Sequence, residues 1–353
     1  MIVRVDILGE LMTTRPSVFR ALIALAICTT AGLLIAAQPT TTNTHRFTAI
    51  RNGIYLAQTT APVFNSNAVV IVNEDDVIVI DSHVTPSKAR DLIAAIGTLT
   101  PKPITALINS HHHWDHAHGN QEFVGIPIIG HEFTHLKLAT APLDEPTYTR
   151  GLAGNDARLA RLRKEVEAAT EAREREQLEA EFELFATHVR DFDEIAPVPP
   201  TVTMNERMTL HRGEREIQIV FLGRAHTGGD VAVYLPDDKV VFTGDMALAG
   251  PSFLGDGFVD EWPQTLENLK ALDFDVFVPG HGGPVEDLNR IDLVQHYYRD
   301  LWQKTAMKHQ DGVSVEEAAR TIDLTNHTDI PIRQAGVDPL TVQRIYDRLE
   351  NPD

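Results

Sequence analysis

The chain has 353 residues, 43% of them hydrophobic, enough for one large or two small domains around a substantial core. Its 31 Lys and Arg face 50 Asp and Glu, a formal net charge of −19. That argues against a nucleic-acid substrate and against an anionic membrane surface, since both demand a basic face.

Residues 21–37 form an uncharged apolar run behind Arg15 and Arg20, with Ala36 and Ala37 at its end and a polar Gln-Pro-Thr stretch after it. Basic flank, apolar stretch and small-residue exit are the layout of a secretory signal. Residues 1–37 are therefore expected to be a signal peptide cleaved near Ala37, placing the mature chain in the periplasm or outside the cell. An uncleaved membrane anchor is the alternative, because the run is at the lower limit of a span. Cys28, the single cysteine, lies in this segment. Intramolecular disulfides are thus excluded, and no thiolate remains for a metal site.

From Arg46 the pattern is strand-like, with apolar residues on either side of the hairpin turn Asn52-Gly53. Ala68 to Val72 and Val77 to Ile80 are continuous apolar runs, as expected of strands covered on both faces. Asp81 closes the second. Pro86 to Leu99 is amphipathic and reads as a helix, and Ile104 to Ile108 reads as another buried strand.

The sequence Ser110-His111-His112-His113-Trp114-Asp115-His116-Ala117-His118-Gly119-Asn120 follows that strand. Imidazole and carboxylate suit zinc and its first-row neighbours. In extended backbone residues i and i+2 point the same way, so His111 and His113 can share one metal, while Asp115 and His116 turn towards a second. His112 should point away and play a structural part. His118, past the cluster, is expected at a helix start, beside the ligands or exposed. His131 and His135, four apart, read as surface or rim histidines.

Residues 155–192 are rich in Glu, Arg and Ala, without Gly or Pro, and read as one long helix or two packed ones. This helical insertion is either a solvated face or a lid or dimer contact. Beyond it, Ile217 to Leu222 leads to His226, Val240 to Phe242 leads to Asp245, and Phe274 to Val278 leads to His281. Each stands at a strand end, where a rigid sheet delivers it. Tyr297, Tyr298, Leu301 and Trp302 read as core, and two further helices are expected around Val315–Ile322 and Leu340–Leu349.

The His-x-His-x-Asp-His motif of residues 111–116 resembles the signature of the metallo-β-lactamase superfamily. So do, in the same order, Ala225-His226-Thr227-Gly228-Gly229-Asp230, Val240-Val241-Phe242-Thr243-Gly244-Asp245 and Val278-Pro279-Gly280-His281-Gly282. The resemblance implies an α/β fold, a four-layer αββα sandwich spanning residues 45–300, with residues 301–353 as a C-terminal helical extension. It further implies two divalent metal ions, zinc first. His111, His113 and His226 would hold one, Asp115, His116 and His281 the other, and Asp245 would bridge them. The two ions would share a water of lowered pKa, Asp115 would carry a proton to the leaving group, and Asp81 would support the site from behind.

Asp245 stands where dedicated β-lactamases of the superfamily commonly carry Cys or Ser, and is similar to the glyoxalase II-like and lactonase-like members. Met246-Ala247-Leu248-Ala249 follows, with no lysine to grip a substrate carboxylate. The expected activity is hydrolysis of an ester, lactone, thioester or β-lactam carbonyl in a small-molecule substrate. The alternatives are a metallo-β-lactamase proper and a mononuclear-iron oxidoreductase resembling persulfide dioxygenases. Membrane contact is expected only through an uncleaved N-terminal segment.

Overall fold

The computed structural model describes residues 40–351, so the segment 1–37 lies outside the described residues. The chain opens with β1 (Thr40–Thr41), β2 (His45–Arg51), β3 (Ile54–Thr59), β4 (Ala68–Val72) and β5 (Val77–Ile80). Helix α1 (Pro86–Leu99), β6 (Ile104–Ile108), α2 (Trp114–Ala117), β7 (Ile128–His131) and α3 (Glu132–Ala139) follow. Then come α4 (Pro146–Ala168), α5 (Ala172–Arg190) and β8 (Val202–Met204). The second half runs through β9 (Arg207–Arg212), β10 (Arg215–Phe221), β11 (Val231–Leu235), β12 (Val240–Gly244), α6 (Trp262–Lys270) and β13 (Val276–Pro279). It closes with α7 (Asn289–Gln310), α8 (Val315–Thr321) and α9 (Pro339–Glu350).

The first eight strands form one sheet in sequence order, and β13-β12-β11-β10-β9 form the other. Alternation along each strand builds three apolar layers. Val69 and Ile71 of β4 point towards Ile217 and Ile219 of β10 in the core between the sheets. Val70 and Val79 point outward, onto Leu92 and Ile96 of α1. On the far side Val241 and Phe277 pack under Trp262, Leu266 and Tyr298. The result is the expected αββα sandwich. Burial of such a side chain contributes about 1.5–3 kcal/mol, so the paired faces dominate the stability of the fold.

Helix α1 starts where the Thr85 hydroxyl accepts the Lys88 N–H and Pro86 takes the first turn. Tyr298 and Leu301 are buried, as their apolar spacing predicts. Helix α7 runs straight through position 301, and α8 and α9 pack into the same cluster as α6, so the C-terminal helices extend an existing layer.

The helical insertion starts at Pro146, ahead of position 155, and is two helices. It holds Gly151 and Gly154, whose helix propensity is low and which lie outside the expected bounds 155–192. Helix packing overrides that propensity: a Cβ at 151 would lie 2.7 Å from Trp114 Cζ2, so glycine lets α4 lie flat on the indole. Among the described residues no helix is long and apolar enough to cross a membrane.

Candidate metal centre

Parallel pairing sets where the ligand candidates gather. Strands β5 and β6 run parallel, as do β12 and β13. Strand β10 shares the direction of β12, because each is antiparallel to β11. The carboxyl ends of β5, β6, β10, β12 and β13 therefore open onto one edge of the sandwich. From them issue Asp81, His111, His226, Asp245 and His281. A hydrogen bond from Val231 N–H to Ser110 O, 2.8 Å, stitches the sheets together there. Gly244 adopts φ +51°, and a Cβ on it would meet Ser110 Cβ at 2.7 Å, so the residue before Asp245 has to be glycine.

The seven candidate residues converge. The ring nitrogens of His111, His113 and His226 form one group of potential ligand atoms, all within 4.8 Å of one another. His226 Nε2 lies 2.8 Å from His113 Nδ1. Asp115, His116 and His281 form a second such group, with Asp115 Oδ2 3.0 Å from His281 Nε2 and 3.4 Å from His116 Nε2. Asp245 stands between the groups, 3.5 Å from His116 Nε2, 3.6 Å from His226 Nε2 and 3.6 Å from His281 Nε2.

Hydrogen bonds behind the rings decide which nitrogens face inward. Asp81 accepts from Ser110 N–H, from the Ser110 hydroxyl and from His116 Nδ1–H, each at 2.7 Å. The Ser110 hydroxyl proton is thus committed, so His111 Nδ1–H donates to Ser110 Oγ at 3.0 Å. His226 Nδ1–H donates to Phe253 O at 2.9 Å, and His113 Nε2–H donates to Asp256 Oδ2 at 2.9 Å. His111 Nε2, His116 Nε2 and Asp245 Oδ1 remain as buried atoms with no hydrogen-bond partner among the described residues. Buried lone pairs without a proton or cation are costly. Their convergence, on imidazole and carboxylate alone, fits a divalent cation.

The electrostatics agree. Burial disfavours the His113 cation, yet the bonded Asp256 carboxylate outweighs it and pushes the imidazole up to about 9. Burial likewise opposes protonation of His281, and the Asp245 and Asp115 carboxylates overcome it, again to about 9. His226, buried beside His113, is pushed down to about 3. The carboxylates draw positive charge into the centre.

The neighbouring histidines sort themselves by position. His112 points away, its Nε2–H donating to Glu145 Oε1 at 2.9 Å. His118 ends α2 and is buried edge-on against Tyr148, ring centroids 5.0 Å apart. His131 caps α3 by accepting the Phe133 N–H, and His135 Nδ1–H donates to Pro200 O. Sequence reasoning missed Asp256 and Glu145. Asp256 sits in the loop Gly255-Asp256-Gly257, far along the chain from His113 and without a spacing motif. Glu145, just ahead of Pro146, carries only a weak signal of a helix start.

Above the cluster opens a cavity of about 540 Å³. Phe64, Trp114, Leu248, Pro251 and Phe253 give it apolar walls, and α4 contributes Thr147, Arg150 and Asn155.

The αββα sandwich gathers at one sheet edge clusters of imidazoles and carboxylates able to hold metal ions, a hydrolase-type fold. The family model described as "Metallo-beta-lactamase superfamily" matches residues 61–281, and the chain belongs to that superfamily. Among curated relatives, the alpha subunit of 2,4-dinitroanisole O-demethylase from Nocardioides sp. (strain JS1661) is 22% identical over 74% of this chain and 62% of its own length. The linear primary-alkylsulfatase of Pseudomonas sp. (strain ATCC 19151) is 23% identical over 72% of this chain and 49% of its own. The chain thus spans only part of the length of these relatives. Among solved structures, a stereoselective inverting sec-alkylsulfatase from Pseudomonas sp. superposes with a TM-score of 0.59 at 16% identity, covering 87% of this chain and 52% of that one. A metallo-beta-lactamase from Pontibacter korlensis gives 0.51 at 18% identity, covering 71% and 99%. At such identities the likeness is one of fold.

Proposed function

We propose that the protein is a metal-dependent hydrolase that binds two divalent ions, zinc by preference, and opens an ester, lactone, thioester or β-lactam carbonyl outside the cytoplasm. The carrying observation is a trio of inward-facing atoms without hydrogen-bond partners among the described residues, His111 Nε2, His116 Nε2 and Asp245 Oδ1. His111, His113 and His226 would hold one ion, Asp115, His116 and His281 the other, and Asp245 would touch both. Bound there, such ions supply Lewis acidity, polarising the scissile group and lowering the pKa of water towards neutrality.

The chain's own residues do the rest. Asp81, Ser110, Asp256 and Phe253 O lock the imidazoles in one tautomer and orientation. Asp115, whose Oδ2 is 3.0 Å from His281 Nε2, lines the cavity, where it would pass a proton to the leaving group. Phe64, Trp114 and Leu248 shed water around the reacting centre.

A second reading, cleavage of a sulfate ester or an aryl ether, is supported by the names of the two curated relatives that match 72–74% of the chain. Asp245 and the missing lysine after it weigh against a dedicated β-lactamase. Location outside the cytoplasm rests on the apolar run at residues 21–37.

One experiment separates these readings. Purified protein is analysed for metal, reconstituted, and assayed on lactones, thioesters, aryl esters, cephalosporins, alkyl sulfates, aryl methyl ethers and, with oxygen uptake followed, a low-molecular-weight persulfide. Two zinc per chain with carbonyl turnover is expected. One iron per chain and sulfur oxygenation would replace hydrolysis by the persulfide dioxygenase-like alternative.

A further inference from the structure

The cavity over the ligand cluster has two kinds of wall. Phe64, Trp114 and Leu248 are apolar, and Phe64 stays half exposed with its ring stacked on His281 at 5.5 Å. Helix α4 presents hydrogen-bond donors instead. Arg150 is the one Lys or Arg among the described lining residues. Asn155 lines the same wall, and its side-chain nitrogen is buried with no hydrogen-bond partner among the described residues.

A buried amide donor left unpaired is costly until an acceptor reaches it. Arg150 is held ready for the same kind of group. Its Nη2 donates to Asp338 Oδ2 at 2.7 Å, while Asp338 Oδ1 accepts the Leu340 N–H and caps α9. The guanidinium lies over the Phe253 ring, 5.8 Å from its centroid, and the Phe253 carbonyl orients His226. The Arg150–Asp338 pair is solvent-exposed, with side chains 52% and 32% accessible, so it positions the guanidinium without neutralising it strongly. The fork beyond Nη2 matches the paired oxygens of an oxyanion.

We propose that Arg150 and Asn155 form an oxyanion subsite, and that the substrate is an amphiphile with an apolar body and a single negative charge, a carboxylate or a sulfate ester. The formal net charge of −19 repels polyanions and so favours one charge over several. The apolar walls take the body, and the donors of α4 take the charge. This rests on the hydrolase reading and names the substrate class for that same site. Asp338 is a positioning residue, aiming Arg150 from the C-terminal helices.

The test compares three substrates on the metal-loaded full chain: para-nitrophenyl hemisuccinate, its neutral counterpart para-nitrophenyl valerate, and decyl sulfate. The hemisuccinate carries its charge away from the scissile bond and decyl sulfate carries it within the scissile group, so the two sources of oxyanion are distinguished. Wild type is expected to prefer one of the anions over the valerate by about tenfold or more in kcat/KM. Arg150→Gln should erase most of that preference through KM, Arg150→Lys should keep part of it, and Asp338→Asn should fall between. Equal loss on charged and neutral substrates, or no preference in wild type, overturns the subsite.

Should none of the three be turned over, the aryl-ester and alkyl-sulfate forms of the hydrolase reading fail while the subsite stays testable. Quenching of Trp114 fluorescence by hexanoate, against hexanamide, then reads anion binding directly. Selective weakening of hexanoate in Arg150→Gln supports the subsite. Identical binding in both proteins overturns it.

Discussion

Asp81 sits in the left-handed region at φ 61°, which Asp tolerates better than most side chains. The turn lets one carboxylate take the Ser110 N–H, the Ser110 hydroxyl and His116 Nδ1–H together. Asp81→Asn keeps the backbone tolerance and removes the charge that fixes the His116 tautomer. Metal affinity is expected to fall about 10–100-fold, read by competition with a chromophoric chelator, and unaltered affinity would remove Asp81 from the site. Asp245 is a sharper case, because its carboxylate approaches both ligand groups. In Asp245→Ala the bound metal, counted by elemental analysis, should drop below two per chain and turnover should collapse. A variant that retained both ions would refute the bridging role.

At the scale of elements, two glycines of α4 make opposite predictions. A methyl at 151 would press on Trp114 Cζ2 at 2.7 Å, whereas one at 154 meets nothing within 4 Å. Gly151→Ala should lower the melting temperature, as overpacking of about 1–3 kcal/mol does. Gly154→Ala should raise it, because alanine in a helix interior is worth about 0.5–1 kcal/mol over glycine. Equal shifts in calorimetry would mean that α4 does not rest on Trp114. The insertion is also tied to the ligand loop by Glu145, which holds His112 between the ligand candidates His111 and His113. The cavity wall and the centre are therefore one mechanical unit.

At the scale of the whole molecule, buried imidazoles set the response to acid. Burial pushes His45, His118 and His188 down to about 4 from an ordinary 6.5. Between pH 6.5 and about 4 the unfolded chain binds more protons than the folded one, so stability falls as pH falls through that window. The melting temperature should decline steadily from pH 7 to 4.5, and a flat profile would contradict the neutral, buried state of these rings. His113 and His281 act in the other direction. Raised to about 9, they contribute stability below pH 6.5 that is lost as pH rises through 9. Chelator-treated protein should therefore melt lower at alkaline pH, and bound cations, by replacing those protons, should remove most of that loss. Bound metal also stabilises by mass action, about 4 kcal/mol at a thousandfold excess over Kd.

Local pattern already determined much of this protein. Continuous apolar runs such as Ala68 to Val72 point to strands covered on both faces, because both sets of side chains must leave water. The ligand candidates follow such runs, singly or as the 111–116 cluster, so their place at a sheet edge was written in the chain. Hydrophobic periodicity does not say which distant residues meet, and there the tertiary structure decided. Asp256 reaches His113, Glu145 reaches His112, and Asp338 reaches Arg150 across gaps that no motif spans, because loops are placed by the sheets and helices they join. Gly151 and Gly154 stand inside α4, ahead of the bounds that composition sets, and at Gly151 the missing side chain leaves the room that Trp114 needs. The set of candidate metal ligands was legible in residue type and spacing; the cavity walls come into being only when the chain closes over them.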